Sequence, residues 1–344
     1  MEILQNYDLK NLNTFGISVN AKLFIEIKTE EDLKELFDLP EFRDNQKIFL
    51  GGGSNVLFTK DFDGLVILNK LKGIEIIEEN HKNVVIRCMG GEIWHDLVTF
   101  AVERGLWGIE NLALIPGTVG AAPMQNIGAY GAELKDVLVN VEAYEIRTGK
   151  KRIFNRDECE LGYRDSIFKN SLKDKYFISA ITLKLSKISK LNLSYKILAD
   201  YLEKPARRGG NKIKVKNSKD ISDAVSAIRK SKLPDPAVIP NAGSFFKNVF
   251  IKPDELKKLQ ATYPEMPYFE EDKVIKIPAG WLIEQTGWKG KKVGNVGVHE
   301  KQSLVLVNYG GATGEEILNL ANKIIVEVKE KFGLKLIPEV NLIR

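Results

Sequence analysis

The sequence has few cysteines, few histidines and no long apolar run. Its two cysteines, Cys88 and Cys159, do not form a Cys-x-x-Cys pair, so neither a disulfide framework nor a structural zinc site is supported. No segment approaches the roughly 18 apolar residues that a membrane-spanning helix needs, and the first residues lack the basic start and apolar stretch of a signal peptide. We therefore expect a cytoplasmic protein in a reducing compartment, with no bound metal and no membrane partner.

An excess of charge of one sign is also nearly absent. The chain has 51 Lys and Arg residues against 46 Asp and Glu residues, which leaves a formal net charge of +5 at pH 7. This mild surplus suits anionic small molecules as well as nucleic acid. With 344 residues, 44% of them hydrophobic, the chain can form two or three domains and is not globally disordered.

Alternating strand and helix patterns divide the chain into three blocks, the last of which follows the basic, glycine-containing segment 204–216. In the second block, residues from 92 onwards predict a helix with Ile93, Leu97, Phe100 and Ala101 on one face. Predicted strands cover residues 21–27, 47–50, 65–68, 74–78, 83–88, 139–146 and 175–185. Further predicted helices cover residues 30–37, 220–230, a segment from 253, and 313–332.

The helix over residues 313–332 has the clearest boundaries. Thr313 and Glu316 have the spacing of a capping box, and Gly333 stands where a glycine cap ends a helix. Its predicted core stripe consists of Ile317, Leu320, Ala321, Ile324 and Val328.

Two glycine-rich segments are candidates for binding a ligand. Gly51-Gly-Gly-Ser-Asn follows an apolar strand, and its backbone N–H groups could surround a pyrophosphate, although it matches neither a Rossmann nor a P-loop pattern. The longer stretch from Asn111 to Gly131 is dense in small residues, which let a backbone approach a flat ring system. A tight turn between strands and a structural glycine-rich loop remain the alternatives.

Three further segments contain groups that can carry out chemistry. Arg164 in Tyr163-Arg-Asp could hold a carboxylate with two parallel bonds, or form a surface salt bridge with Asp165. Ser244 lies between Gly243 and two aromatic residues, without the spacing of a hydrolase nucleophile, so it remains a candidate proton donor. Glu339 stands in an apolar, strand-like run, where burial would raise its pKa or an Arg would pair with it.

Nine strings, in this order along the chain, carry a resemblance to a known family: Asn13-Thr-Phe-Gly, Leu50-Gly-Gly-Gly-Ser-Asn-Val-Leu, Ile115-Pro-Gly-Thr-Val-Gly-Ala-Ala-Pro-Met-Gln-Asn-Ile-Gly-Ala-Tyr-Gly, Tyr163-Arg-Asp-Ser-Ile-Phe-Lys, Lys232-Leu-Pro-Asp-Pro, Asn241-Ala-Gly-Ser-Phe-Phe-Lys-Asn, Ala279-Gly-Trp-Leu-Ile-Glu-Gln, Val298-His-Glu-Lys-Gln-Ser and Ile337-Pro-Glu-Val. Together they resemble the UDP-N-acetylenolpyruvoylglucosamine reductases, flavoenzymes of peptidoglycan precursor synthesis. The resemblance covers nearly the whole chain.

The resemblance implies a mixed α/β and α+β protein. Its FAD-binding fold, of the vanillyl-alcohol-oxidase type, would have two subdomains, followed by a third, substrate-binding domain. On this basis we expect the first subdomain over residues 1–69 with 327–344 returning, the second over 70–210, and the substrate domain over 211–326. We also expect a monomer without a nucleic-acid partner.

The resemblance further implies that NADPH reduces FAD, which then delivers hydride to the enolpyruvyl group of a UDP-sugar. Arg164 and Glu339 would stabilise the resulting aci-carboxylate, and Ser244 would protonate the neighbouring carbon. The expected cofactor-binding residues are Gly51, Gly52, Gly53, Ser54, Asn55, Ile115, Pro116, Gly117, Thr118, Gly120, Ala121, Ala122, Gln125, Asn126, Gly128 and Tyr163. The expected substrate-binding residues are Tyr195, Arg229, Lys232, Asn248, Tyr268 and Gln302.

Two other functions are compatible with parts of the sequence. The basic segment 207–216 could bind nucleic acid, although it has no aromatic residues for base stacking. The same flavin fold could also serve a small-molecule oxidase, which would consume oxygen without a sugar nucleotide.

Overall fold

The computed structural model describes residues 1–203, 214–271 and 273–344. These residues form two compact units. The first consists of Met1–Tyr7, Ala21–Gly52 and Asp63–Ser231, and the second of Asp8–Asn20, Gly53–Phe62 and Lys232–Arg344. The predicted boundary between residues 210 and 211, and most of the basic segment 204–216, lie outside the described residues.

The strands are Leu4–Asp8 (β1), Asn20–Ile27 (β2), Lys47–Leu50 (β3), Val56–Phe58 (β4), Phe62–Asn69 (β5), Ile74–Glu79 (β6), Asn83–Met89 (β7), Gly128–Ala129 (β8), Ala132–Glu133 (β9), Leu138–Glu145 (β10), Lys151–Asn155 (β11), Tyr176–Ser186 (β12), Asn241–Ser244 (β13), Val249–Ile251 (β14), Phe269–Glu271 (β15), Val274–Ile277 (β16), Lys292–Val293 (β17), Val296–Val298 (β18), Val305–Asn308 (β19) and Asn341–Ile343 (β20). The α-helices are Glu30–Asp38 (α1), Pro40–Asp44 (α2), Trp94–Glu103 (α3), Lys196–Glu203 (α4), Ser218–Lys232 (α5), Pro253–Thr262 (α6), Ala279–Gln285 (α7) and Gly314–Phe332 (α8).

The first unit contains two main sheets. In the four-stranded sheet, ordered β1-β2-β5-β3, strands β3 and β5 pair in parallel. The five-stranded sheet is antiparallel and ordered β11-β10-β12-β7-β6. Strand β12 is buried along most of its length because both of its neighbours and the core elements cover it.

The second unit is built around α8 and an antiparallel sheet ordered β13-β19-β18-β17. All five residues of the predicted stripe on α8 are buried, which confirms that prediction. The Glu316 N–H donates to the Thr313 hydroxyl (3.2 Å), the Thr313 N–H donates to the Glu316 carboxylate (2.7 Å), and Gly333 ends the helix with φ +70°. The predicted capping box and glycine cap are therefore confirmed.

The predicted face of α3 is partly wrong. Ile93 is 48% exposed and extended, and the helix begins only at the next residue. The buried residues of α3 are Trp94, Leu97, Val98, Ala101 and Val102. The face is rotated because Ile93 pairs in a β-bridge with Thr118 instead of starting the helical period.

The apolar run around Glu339 is only partly a strand. Strand β20 begins at Asn341, and Glu339 precedes it as a half-buried residue. Helix α4 begins directly after Tyr195, in a segment without a predicted helix. Among the described residues, none of the helices combines the length and the apolar character that a membrane crossing requires.

Candidate active site

The first glycines of the turn after β3 contact the loop 115–128 within the first unit. A Cβ atom on Gly51 would lie 2.3 Å from the Thr118 hydroxyl oxygen, and one on Gly52 would lie 2.8 Å from the Gly117 Cα atom. Real Cβ atoms do not approach other atoms so closely. Only glycine therefore permits the turn and the loop to meet at this distance.

The loop 115–128 is anchored through its backbone. The Trp94 N–H donates to the Gly117 carbonyl (3.0 Å), the Val119 N–H donates to the Glu92 carbonyl (2.9 Å), and the Gly120 N–H donates to the Gly90 carbonyl (2.8 Å). These bonds join the loop to the turn between β7 and α3. Backbone hydrogen bonds thus fix the path of the loop where it runs along the turn between β7 and α3.

Asn126 connects the loop to the segment that contains Arg164. Its side chain is fully buried, and its amide donates to the Glu133 carboxylate (3.0 Å) and to the Gly162 carbonyl (3.0 Å). Its amide oxygen accepts from the Lys135 N–H (3.0 Å). The side chain of this predicted cofactor-binding residue therefore positions the loop and the neighbouring turn.

Arg164 lies at the tip of a tight turn. Gly162 and Asp165 exchange backbone hydrogen bonds across the turn, and Arg164 has φ +50°, a region where bulky residues are strained. Its guanidinium donates to the Gly128 carbonyl (2.8 Å) and lies near the Tyr163 ring. The Asp165 carboxylate accepts from the Asn170 amide (3.0 Å).

Tyr130 and three other side chains of the first unit, those of Tyr195, Arg229 and Arg164, come together. The Tyr130 ring packs edge-to-face on Tyr195, with 5.3 Å between the ring centres. Burial lowers the pKa of Arg229; the nearby Tyr130 phenol opposes this change, and the positive charge of Arg164 adds to it. Two guanidinium groups close enough to repel each other can accommodate an anionic group such as a phosphate.

Ser244 ends β13 beside Glu339 in the second unit. The pairing of β13 with β19 is irregular between Asn241 and Ser244, and Gly243 there has φ +67°. Such a bulge re-aims the next side chain. The Phe245 carbonyl accepts from the Glu339 N–H (2.7 Å), so the predicted proton donor and the predicted carboxyl group lie on adjacent segments.

The remaining turn residues are close to the same part of the second unit. The Asn55 carbonyl accepts from the Asn341 N–H (3.0 Å), and its side-chain amide donates to the Glu339 carbonyl (3.5 Å). A Cβ atom on Gly53, which has φ +61°, would lie 1.9 Å from the Leu12 carbonyl oxygen. Gly53 is therefore required both for its conformation and for space.

The other expected substrate-binding residues of the second unit lie on or near several different elements. Asn248 accepts a hydrogen bond from the Ala279 N–H (3.1 Å) at the start of α7. Near the same helix, the Gln302 amide oxygen would lie 3.5 Å from a Cβ atom on Gly280. Lys232 ends α5, and Tyr268 is 41% exposed before β15.

Two family models match the chain. A model described as the UDP-N-acetylenolpyruvoylglucosamine reductase C-terminal domain matches residues 235–343, and a model described as an FAD binding domain matches residues 21–153. A UDP-N-acetylenolpyruvoylglucosamine reductase from Flavobacterium johnsoniae is 48% identical over the whole of both chains, and one from Amoebophilus asiaticus is 46% identical over the whole of both chains. The chain belongs to the UDP-N-acetylenolpyruvoylglucosamine reductase family. The resemblance found in its sequence is thereby confirmed.

The fold of the family is also found in a solved structure. The crystal structure of UDP-N-acetylenolpyruvylglucosamine reductase from Thermus caldophilus superposes with a TM-score of 0.65 at 23% identity, covering 100% of this chain and 98% of that one. The prediction of an FAD-binding domain followed by a further domain, in a mixed α/β fold, is confirmed. The chain is an FAD-dependent oxidoreductase of this reductase family.

The residues of the first unit fit an FAD cofactor. The Thr118 hydroxyl is buried and has no hydrogen-bond partner among the described residues. It lies against Gly51, which has no side chain that could donate or accept a hydrogen bond. A buried polar atom without a partner is rare in a protein and indicates a group that a ligand completes. The loop 115–128 and the glycines at its edge would hold FAD, which supplies hydride chemistry when bound.

A cavity of about 520 Å³ in the first unit is lined by none of the expected cofactor-binding or substrate-binding residues. It is lined by Trp107, Glu110, Asn111, Arg156 and Lys184 among others. Burial raises the pKa of Glu110, which accepts a hydrogen bond from the Gly108 N–H. A cavity with this lining does not account for FAD binding, because the loop 115–128 does not line it.

The cysteines offer no further reactive group. Burial raises the pKa of both Cys88 and Cys159 to about 12, so neither thiol is a nucleophile at neutral pH. Within residues 1–203, 214–271 and 273–344, no group of three His, Cys, Asp or Glu side chains is arranged to hold a metal ion.

Sequence reasoning missed two residues that contact the site. Tyr130 belongs to the glycine-rich stretch from Asn111 to Gly131. Its part in the site is visible only in its left-handed φ of +49° and in its contact with the Tyr195 ring. His95 accepts a hydrogen bond from the Leu114 N–H (3.1 Å), immediately before the predicted FAD loop. No sequence signal could have found this contact, because the partner of His95 is a backbone atom.

Proposed function

We propose that the chain catalyses the NADPH-dependent reduction of UDP-N-acetylenolpyruvoylglucosamine to UDP-N-acetylmuramate. The main support is the end-to-end identity of 48% to a protein named UDP-N-acetylenolpyruvoylglucosamine reductase. The position of Ser244 on a bulged strand beside Glu339 agrees with this function, because the reaction needs a proton donor and an acid group near the substrate carboxylate.

The substrate contains a carbon–carbon double bond conjugated to a carboxylate. FAD reduced by NADPH would, when bound, supply hydride chemistry at the terminal vinyl carbon, and the electrons of the double bond would then move towards the carboxylate. By the family resemblance, the role of Arg164 and of Glu339 would be to stabilise this additional negative charge. Removing one such donor typically costs about 3 kcal/mol of transition-state stabilisation.

Ser244 completes the reduction by donating its hydroxyl proton to the carbon that bears the carboxylate. The serine then regains a proton from solvent. In total, one hydride and one proton add across the double bond, NADPH becomes NADP⁺, and the enolpyruvyl ether becomes a lactyl ether.

The substrate's diphosphate and uridine need cationic and polar partners. The pair Arg229 and Arg164 supplies positive charge, and Tyr195 packs against Tyr130 at the same place. Lys232, Asn248, Tyr268 and Gln302 would contact the remaining parts of the sugar nucleotide. These assignments follow the family resemblance together with the positions of the side chains in each unit.

Anaerobic stopped-flow kinetics of Ser244→Ala test this function. The purified wild-type protein should show a flavin absorption spectrum that NADPH bleaches and substrate restores. The variant should bleach with NADPH at the wild-type rate, because Ser244 takes no part in that half-reaction. The second half-reaction should slow by roughly 100-fold to 10,000-fold, since the proton donor is lost.

Ser189→Ala is the matched control because Ser189 is an exposed serine of the first unit. It should behave as wild type in both half-reactions. Equal losses in both half-reactions of Ser244→Ala would refute the role of Ser244. Oxygen consumption without any sugar nucleotide would refute the proposed reductase function and favour an oxidase.

A further inference from the structure

Leu114 has an unusual backbone conformation immediately before the predicted FAD loop. Its φ of +57° lies in the left-handed region, which is unfavourable for a residue with a side chain. All of the other described non-glycine residues with positive φ are Asn, Asp, Glu, Arg or Tyr, so Leu114 is the only aliphatic one among the described residues. A strained residue of this kind persists only where the surrounding structure holds it.

Both peptide groups of Leu114 are held by side chains from helices distant in sequence. Its N–H donates to Nδ1 of His95 on α3 (3.1 Å), and its carbonyl accepts from Nε of Arg229 on α5 (3.2 Å). The residue is thus fixed from both sides. Ile115, the first residue of the loop, directly follows this fixed point.

The contact with His95 requires a neutral imidazole. Nδ1 can accept a hydrogen bond only when it carries no proton. Burial lowers the pKa of His95; the carboxylate of Asp96 on the same helix opposes this change, and Lys230 and Arg229 on α5 add to it. His95 is therefore neutral at pH 7, and a protonated ring would have to turn away from the Leu114 N–H.

We propose that His95 and Arg229 clamp Leu114 so that the loop 115–128 is formed before FAD binds, and that protonation of His95 releases the clamp. His95 is then a positioning residue that acts on FAD through the backbone of Leu114. The proposal rests on the assignment of FAD to this loop. It concerns only cofactor binding and is independent of the roles of NADPH and Ser244.

The consequence is that FAD affinity depends on pH. The clamp is complete above the ordinary imidazole pKa of 6.5 and is lost as the pH falls through the lowered value in the folded protein. Between pH 8 and pH 5, wild-type affinity for FAD should fall about fivefold to tenfold, which corresponds to the loss of one hydrogen bond.

Two substitutions of His95 separate the clamp from a general structural role. His95→Asn places an amide oxygen near the position of Nδ1 that cannot be protonated in this range. It should bind FAD as wild type does at pH 8 and keep that affinity at pH 5. His95→Leu has no acceptor, so its affinity should be low at both pH values.

The measurement is quenching of FAD fluorescence on titration with apoprotein at pH 8 and pH 5. Circular dichroism and the melting temperature of each apoprotein establish that it is folded. His81→Gln, at an exposed histidine, serves as the control and should retain the wild-type pH dependence.

Wild-type binding that does not vary with pH would overturn the proposal, and so would a wild-type pH dependence in His95→Asn. This second outcome decides the matter even if His95→Leu does not fold. Failure of the proposed reductase function looks different, because FAD would still bind in a pH-dependent way while the sugar nucleotide would not be reduced.

Discussion

At the scale of single residues, the Thr118 hydroxyl is a buried polar group of the first unit that lies in the proposed FAD loop. The oxygen is buried and has no partner among the described residues. Leaving a buried hydroxyl without a hydrogen bond costs roughly 1–3 kcal/mol, so it destabilises the protein until a ligand satisfies it. The same hydroxyl oxygen therefore lowers the stability of the apoprotein and would strengthen the binding of FAD.

Thr118→Val should weaken FAD binding and leave the apoprotein at least as stable. Valine has the shape of threonine without the hydroxyl, so the variant loses about one hydrogen bond to FAD, a fivefold to tenfold loss of affinity. The free energy of unfolding of the apoprotein should stay the same or rise by up to about 1 kcal/mol. Fluorescence titration and urea denaturation measure the two quantities.

Thr262→Val, at an exposed threonine that ends α6, is the control for this substitution and should change neither quantity. An apoprotein that loses stability in Thr118→Val would show that the hydroxyl is satisfied within the protein. Unchanged FAD affinity would show that FAD does not contact it.

Residues with distinctive chemistry could be selected from the sequence, whereas residues that act through the backbone could not. Arg164, Ser244 and Glu339 carry groups whose reactions are known from their type, so motifs were enough to nominate them. Leu114 and His95 gave no signal, because a leucine before a loop and a histidine on a helix are common. Their relation depends on one φ angle and one hydrogen bond.

At the scale of secondary-structure elements, an ion-pair network joins four elements of the first unit. Both carboxylate oxygens of Glu142 on β10 accept from Arg87 on β7 (2.5 and 2.7 Å). Lys151 on β11 lies 2.7 Å from Glu142 and 2.9 Å from Glu30 on α1. The network therefore links β7, β10 and β11, three strands of the five-stranded sheet, to one another and to α1.

The network makes the stability of this unit depend on pH. Burial alone raises the pKa of Glu142, but hydrogen bonds from Arg87 and Lys151 outweigh burial and lower it below the ordinary 4.5. Glu30 shows the same balance, with bonds from Lys151 and Tyr144. The unfolded chain therefore binds protons first as the pH falls, and stability is lost below about pH 4.5.

Glu142→Gln should destabilise the protein by on the order of 2 kcal/mol at pH 7, between the values for exposed and for fully buried pairs. The difference from wild type should shrink as the pH falls below 4.5, because Glu142 in the unfolded wild-type chain then takes up a proton and the ion pair no longer stabilises the folded state as strongly. Urea denaturation between pH 7 and pH 3 measures this.

The double variant Arg87→Gln with Glu142→Gln provides the control, since it removes both partners. It should cost less than the sum of the single substitutions. Additive losses, or a difference from wild type that does not vary with pH, would contradict a coupled ion pair.

Elements with local boundary signals were predicted well. The ends of α8 are set by Thr313, Glu316 and Gly333, all within or next to the helix, so the sequence alone contains what is needed. The start of α3 is different, because Ile93 is extended by its bridge to Thr118, which lies outside the helix. A pattern of hydrophobic residues cannot reveal such a partner.

At the scale of the whole molecule, the two units are assembled from segments that alternate along the chain. Residues 53–62 belong to the second unit although they are flanked by segments of the first. Strand β4 in this segment pairs in parallel with β20, and Val56 is the register partner of Asn341. Such pairing over most of the chain length has no local signature, so the predicted domain boundaries remain a prediction.

FAD binding should stabilise the molecule by mass action, and Gly52→Ala should abolish that effect. At an FAD concentration of 100 times Kd, a bound cofactor raises the free energy of unfolding by about 2.7 kcal/mol. A Cβ atom on Gly52 would lie 2.8 Å from the Gly117 Cα atom, with backbone on both sides and no flexible side chain to yield. The turn and the loop must separate, so the proposed FAD site is lost.

The measurement is the melting temperature of apoprotein at increasing FAD concentration. Wild type and Ser189→Ala should show the same rise, whereas Gly52→Ala should start lower and show no rise, because strain lowers its stability and FAD no longer binds. A Gly52→Ala variant that starts lower but rises in parallel with wild type would separate the two effects. The contact between Gly52 and Gly117 would then serve stability alone, and FAD would have to be held by other residues.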